Sequence, residues 1–339
     1  MSFVQNFVFF VLGFSTKGAK GSTKDTKPVG SSRLWVFSLG VIPLGKNILH
    51  MLTPLAHMSP FDVNMALDAG YDAAIPYTNV TLAEVAGLVQ DAMFSRSPKE
   101  AVRTGVFIGG KDAFVALDML EAARKALLKP FELSLFADPA GSFTTAAAMV
   151  AIVEKLLKQK TERDLRGAKV AVFGATGVVG IASGVIAALE GAEVAFVGYD
   201  GVERVARYAA QVKLRFGADV APADGSTPEK KAAILEATQV ALCAGKAGVR
   251  VLDAGQMAGA PNLLIVADVN AVPPPGVEGL DLQANGAPLG PHGALGVGPL
   301  AIGNVKYQTE SGLFKQMTES KTALRLDFRQ AFELARARA

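Results

Sequence analysis

The chain has 339 residues, half of them hydrophobic, with a formal net charge of +3, one cysteine and three histidines. That size and apolar content suit two α/β cores, and a charge so near zero offers no basic face for nucleic acid. The lone Cys243, set in apolar "QVALCAG", excludes an internal disulfide and a cysteine-cluster metal site, and the scattered His50, His57 and His292 make no cage, so no metal is expected and a reducing cytoplasm fits best.

Residues 1–46 differ from the rest. They hold six cations (Lys17, Lys20, Lys24, Lys27, Arg33 and Lys46) against Asp25. "FVFFVLGF" is too short to span a bilayer and no cation precedes it, and "STKGAKGSTKDTKPVGSSR" has the composition of a flexible segment. A membrane-surface anchor and sequence upstream of the true start are the two readings. The second is preferred, because an enzyme-like pattern begins abruptly at "KNILHML", and no membrane partner is expected.

From there, short apolar runs alternate with helical patterns, the signature of parallel βα units. "NILHML" reads as a strand, "SPFDVNMALDAG" as a helix and "DAAIPYTN" as a strand. Thr81 and Glu84 have the spacing of a capping box on "TLAEVAGLVQDAMF". The strand "RTGVFIGG", the helix "DAFVALDMLEAARKALL", the strand "FELSLFAD" and the helix "SFTTAAAMVAIVEKLLKQ" complete four units of one doubly wound domain.

After the polar hinge "KQKTERDLRG" the pattern restarts in "AKVAVFGATGVVGIASGVIAALEGAEVAFVGYD": strand, glycine turn, helix, strand. Strands follow at "ADVAPAD", "QVALCAG" and "LLIVADVN". "GAPLGPHGALGVGPLAIGN" reads as a long Gly-rich loop, and helical spacing returns in "VKYQTESGLFKQMTES" and "LDFRQAFELARARA", which are expected to fold back on the first domain. The fold class is therefore α/β, two doubly wound parallel sheets with a cleft between them, the second Rossmann-like. The expected division is a flexible extension over residues 1–46, a first domain over 47–138 with 318–339, and a nucleotide domain over 139–317.

The turn holds Gly174, Thr176, Gly177, Val178 and Gly180. Glycines let phosphate approach the backbone, and free N–H groups at the helix start hold its charge. Asp200 at the tip of the second strand favours NAD through the ribose hydroxyls, whereas Arg204, one helical turn later, is placed to accept the 2′-phosphate of NADP, so both cofactors stay open. No general base for an alcohol stands out: His292 sits among glycines, and Tyr307 directly follows Lys306. A hydride donor that loses no proton needs no such base, and methylene adducts of reduced pterins are donors of that kind.

"NILHMLTPLAHMSPFDVNMALDAGYD", "FSRSPKEAVRTGVFIGG", "FADPAGSFTTAAAMVA", "GATGVVG", "VADVNAVPPPGVEGLD" and "GALGVGPLAIGNVKYQ" together resemble the bacterial NAD(P)-dependent methylene-tetrahydromethanopterin dehydrogenases, from about Lys46 to the C-terminus. The resemblance implies hydride transfer from a tetrahydromethanopterin co-substrate to NAD or NADP, and a homo-oligomer. It implies a cleft position for Asp138, as stabiliser of the forming cation or binder of the pterin edge; by its residues alone Asp138 equally reads as a helix cap. Lys306 matches a cleft lysine that positions the pterin, pairs with Asp138 or both. Phe61 and Asp62 match a pocket segment in which the ring stacks on the pterin, although an apolar residue opening a helix also reads as core. Ser142 stands beside Asp138, and it and Thr144 also read as caps. Asn270 is placed to bond the nicotinamide carboxamide or to shape its own turn. Glu310 stands where the folate-accepting branch tends to carry a histidine. A tetrahydrofolate dehydrogenase and a non-catalytic nucleotide sensor are the alternatives.

Overall fold

A computed structural model describes residues 45–339. The extension expected over residues 1–46 lies outside the described residues except for its last two positions. The first sheet contains the parallel strands β1 (Ile48–Leu52), β2 (Ala73–Tyr77), β3 (Thr104–Ile108) and β4 (Ser134–Ala137). They are connected by α1 (Pro60–Asp68), by α2 (Val85–Phe94) with the short α3 (Pro98–Ala101), and by α4 (Ala113–Ala126). A tight turn, Pro139–Gly141, then leads into α5 (Ser142–Thr161).

The second sheet is built from β5 (Lys169–Phe173), α6 (Val178–Leu189), β6 (Glu193–Gly198), α7 (Val202–Phe216), β7 (Val220–Asp224), α8 (Pro228–Glu236), β8 (Val240–Cys243), α9 (Ala254–Ala258), β9 (Ile265–Asp268), β10 (Asn285–Leu289) and β11 (Ala294–Val297). The chain returns through α10 (Pro299–Glu319), β12 (Arg325–Leu326) and α11 (Phe328–Arg336). Strand order is β12-β4-β3-β1-β2 in the first sheet and β10-β11-β9-β8-β5-β6-β7 in the second. Leaving out β10, which pairs antiparallel with β11, the second order is the 3-2-1-4-5-6 of a dinucleotide-binding fold.

α5 leaves the first sheet and enters the second, α10 makes the return journey, and the two pack on each other and on α11 or α1. This explains why α5 is apolar nearly all round. Among the described residues the stretch Pro139–Thr161 alone is long and apolar enough to cross a membrane, and most of it is buried inside the protein. Phe107, Phe136 and Phe314 pack edge-on or tilted at 5.2 to 5.4 Å in the first core, and Phe143 meets Phe328 at 5.4 Å. Each such buried ring contributes roughly 1.5–3 kcal/mol.

Three expectations change. The Gly-rich stretch is not one loop: it folds into the β10–β11 hairpin, and α10 begins at Pro299 rather than near Val305, because proline is well tolerated in the first turn of a helix. The terminal segment is not all helix, since β12 adds a fifth strand beside β4. The Thr81–Glu84 box is half made. Glu84 accepts from the Thr81 backbone N–H at 2.8 Å and from its hydroxyl at 2.7 Å, so the hydroxyl is not free to cap, and α2 starts only at Val85.

Candidate active site

All five strands of the first sheet are parallel, so the carboxyl ends of β1, β3 and β4 release Thr53, Gly109 and Asp138 on one edge. A cavity of about 350 Å³ opens there, lined by Thr53, His57, Asp62, Gly110, Lys111 and Ala140 among others. After Asp138 the chain turns through Ala140 at φ 54° and Gly141 at φ 63°. The left-handed alanine is a strained position of the kind found at working sites. Gly141 has a second reason to be glycine: a Cβ there would lie 2.9 Å from Lys306 Nζ.

Asp138 has no exposed surface. One carboxylate oxygen accepts from the backbone N–H of Phe143 at 2.8 Å and of Thr144 at 3.2 Å, and the other from the Thr144 hydroxyl at 2.6 Å. The acid thus closes the start of α5, where no N-cap side chain does so. Burial dominates and leaves its carboxyl above the ordinary value, with Thr144, Lys306 and the two N–H groups opposing. Ser142 opens the helix half-buried and makes no side-chain hydrogen bond among the described residues.

Lys306 pairs with Glu310 one turn on, not with Asp138 as its direct partner, and its ammonium sits 3.7 Å from the centre of the Phe61 ring. The ring remains 45% exposed. Phe61 is therefore not a core residue: one face is taken by the cation and part of the ring is open. Glu310 is fully buried and Asp62 nearly so, and each carboxyl is close enough to shift the other. Burial and the Asp138 charge hold Asp62 up at about 7 and Glu310 at about 8, with Lys306 opposing. Asp62 Oδ2 and Glu310 Oε1 have no partner among the described residues. Three buried carboxyl groups thus stand around one ammonium.

The glycine turn lies at the carboxyl end of β5. A Cβ on Gly174 would run into the backbone of Ala244, and one on Gly180 into Gly174 itself, so both close approaches require glycine. Gly177 caps α6 with no side chain, leaving Val178 first in the helix and its N-terminus available to an anion. A cavity of about 550 Å³ is lined by Gly174, Thr176, Gly177, Tyr199, Arg204 and Lys246 among others. Asp200 and Arg204 pair at 3.2 Å, and the guanidinium lies 4.6 Å over the Tyr199 ring. These residues fit NAD(P). Tyr199, Lys231, Lys246 and Arg250 were not foreseen on this wall, nor His57 and Lys111 on the other; the lysine directly after the "GG" that follows β3 was the available signal.

Of the two readings of Asn270, its hydrogen bonds match the one in which it shapes its own turn. Its Oδ1 accepts from the N–H groups of Gly248 and Val272, and its Nδ2 donates to Pro274, so the amide is spent mainly on its own loop. Asp268 behind it accepts from Asn270 and Val277 N–H groups.

Fold order and turn together define the class: an α/β oxidoreductase working with a nicotinamide nucleotide. Residues 60–140 match the family model of the methylene-tetrahydromethanopterin dehydrogenase N-terminal domain. The chain is 53% identical over 292 residues, 86% of its length and 98% of the relative's, to the NAD(P)-dependent methylenetetrahydromethanopterin dehydrogenase of Methylorubrum extorquens. It is 31% identical over 293 residues, 86% of its length and 99% of the relative's, to the bifunctional protein MdtA of the same organism. The chain belongs to the methylene-tetrahydromethanopterin dehydrogenase family. An NAD-dependent malic enzyme of Thermotoga maritima shares the fold, with a TM-score of 0.53 at 13% identity over 93% of this chain and 96% of its own.

Proposed function

We infer that the chain oxidises methylene-tetrahydromethanopterin with NAD(P)+, the hydride leaving the methylene carbon that bridges two nitrogens and a methenyl cation remaining. The relationship at 53% identity across nearly the whole of the Methylorubrum enzyme carries this reading. Bound NAD(P)+ supplies the hydride acceptor. No side chain has to take a proton from the substrate, because the broken C–H bond surrenders both electrons with its hydrogen. The protein's tasks are then to align the donor carbon and to place negative charge where the cation forms.

On this reading residues 47–138 with 318–339 hold the pterin and 139–317 the nucleotide, with the reaction in the cleft between them. Asp138 is a fixed negative charge behind the pterin, locked by α5. Lys306, drawn toward Glu310 and Phe61, positions instead of opposing the product cation. The open part of the Phe61 ring receives the pterin, with Asp62, Glu310 and Ser142 around its polar edge. Gly174 to Gly180 hold the pyrophosphate, Asp200 the ribose, Arg204 the 2′-phosphate of NADP, and Asn270 braces the loop beside the nicotinamide. A homo-oligomer in the cytoplasm completes the proposal; the exposed Phe94 and Leu128 give it an apolar surface, and sedimentation velocity tests it.

The tetrahydrofolate reading is not favoured, since Glu310 replaces the histidine of that branch. Purified protein given methylene-tetrahydromethanopterin and either nucleotide should form reduced nucleotide and methenyl product together by absorbance, with a higher kcat/KM than on the folate analogue. Folded protein that forms neither refutes the reading.

A further inference from the structure

We propose that Asp62 and Glu310 form a proton-holding counter-ion: the pair shares one proton while the pterin is neutral and releases it to solvent, through the cavity that Asp62 lines, when the pterin carries positive charge. This rests on the function inferred above and adds to it a movement of protons within the protein that the hydride chemistry does not itself require.

The geometry carries the proposal. Asp62 comes from α1 and Glu310 from α10, and both are removed from water. Glu310 Oε2 receives the Lys306 ammonium, while its Oε1 faces no donor. Asp62 Oδ2 is equally without a partner among the described residues. Two ionised carboxylates are acceptors only, so neither could satisfy the other in a buried site. A proton held on one of the two carboxyls turns an acceptor into a donor and relieves that deficit. The surrounding charges agree: Asp138 from the β4–α5 turn repels a second negative charge on the pair, and among the described residues Lys306 is the cation that offsets the three acids. Ser59 supports Asp62 from the start of α1, and His57 and Lys111 stand on the cavity lining. The values of about 7 for Asp62 and about 8 for Glu310 put the shared proton within reach of a nearby charge at neutral pH.

The balance closes over one cycle. Breaking the C–H bond sends the hydride and its electron pair away from the pterin, which becomes cationic. That charge lowers the proton affinity of the pair, and the proton passes to water or buffer. The now doubly ionised pair faces the cation. When the product leaves, the pair recovers a proton from solvent, so nothing in the protein is oxidised or reduced and no net proton is consumed.

Binding of the two pterins to the wild-type protein without nucleotide separates this step from turnover. Titration calorimetry at pH 7 in buffers of different ionisation enthalpy should show release of up to one proton on binding the methenyl cation, and none on binding the neutral tetrahydropterin. Between pH 6 and 7 the methenyl Kd should tighten up to tenfold. In Glu310→Gln and Asp62→Asn, each isosteric, proton release should vanish and the Kd lose its pH dependence, with near-ultraviolet circular dichroism reporting the fold. Methenyl binding without proton release in the wild type overturns the proposal and leaves the inferred function standing. Failure of either pterin to bind the folded protein overturns both.

Discussion

Asp62 is the residue whose cost to the fold is most directly measurable. Its carboxyl rises from an ordinary 3.8 to about 7, so between those values the native state holds a proton that the unfolded chain has given up. Unfolding therefore becomes easier as pH rises through that window, and below it Asp62 costs nothing. Asp62→Asn should raise Tm at pH 8 by about 2 °C or more, the effect of roughly 1 kcal/mol in a chain of this size, and leave it unchanged near pH 4. Thermal unfolding at the two pH values checks this. Burial also raises the Asp138 carboxyl, but this acid serves the fold by capping α5. Asp138→Ala leaves the Phe143 and Thr144 N–H groups buried without their acceptor, a loss of about 1–3 kcal/mol that a urea midpoint would register. On the nucleotide side, Arg204→Ala should raise KM for NADP+ about tenfold while changing KM for NAD+ less than threefold, the difference a charge-assisted contact of about 1.4 kcal/mol makes. Sequence spacing carried part of this. The Asp200–Arg204 and Lys306–Glu310 pairs stand at i, i+4, but that spacing was not read as pairing: Arg204 was assigned to a phosphate, and Lys306 to the pterin, to Asp138 or to both. The meeting of Asp62 with Glu310 was not legible, since it depends on how α1 and α10 pack.

At the scale of elements, the glycine turn was the most readable feature because its constraint is steric. Only glycine lets β5, the β8 loop and α6 come as close as they do. Gly180→Ala should push α6 away from Gly174, weaken NAD(P) binding at least tenfold and lower Tm, with nucleotide fluorescence titration and a thermal melt as the two readouts. The hairpin was missed for the reverse reason. "APLGPHGAL" has a turn, with Gly290 and Gly293 both left-handed, between two short apolar runs, but the glycine content of the whole stretch hid those strands. The start of α5 shows how an element end can serve a site: the turn that Asp138 closes also brings Gly141 against Lys306, so helix capping and side-chain placement share the same few residues.

For the whole molecule, α5 and α10 join two sheets that each present strand carboxyl ends to a cavity. A further bridge runs from α4 to α7, where Arg215 meets Asp118 with two contacts at 2.6 and 3.2 Å and Phe114 stacks on Tyr208 at 5.8 Å. The alternation of strand and helix made two parallel sheets legible, whereas the return of β12 to the first sheet depends on a two-residue strand too short to leave a pattern. What the assembled molecule is proposed to do is move a hydride directly between two bound carbons. Turnover with pterin dideuterated at the methylene carbon, in ordinary water, tests that directly by mass spectrometry of the reduced nucleotide. Each molecule of reduced nucleotide should carry one deuterium taken from the pterin. Reduced nucleotide carrying hydrogen from the solvent in its place would contradict direct transfer.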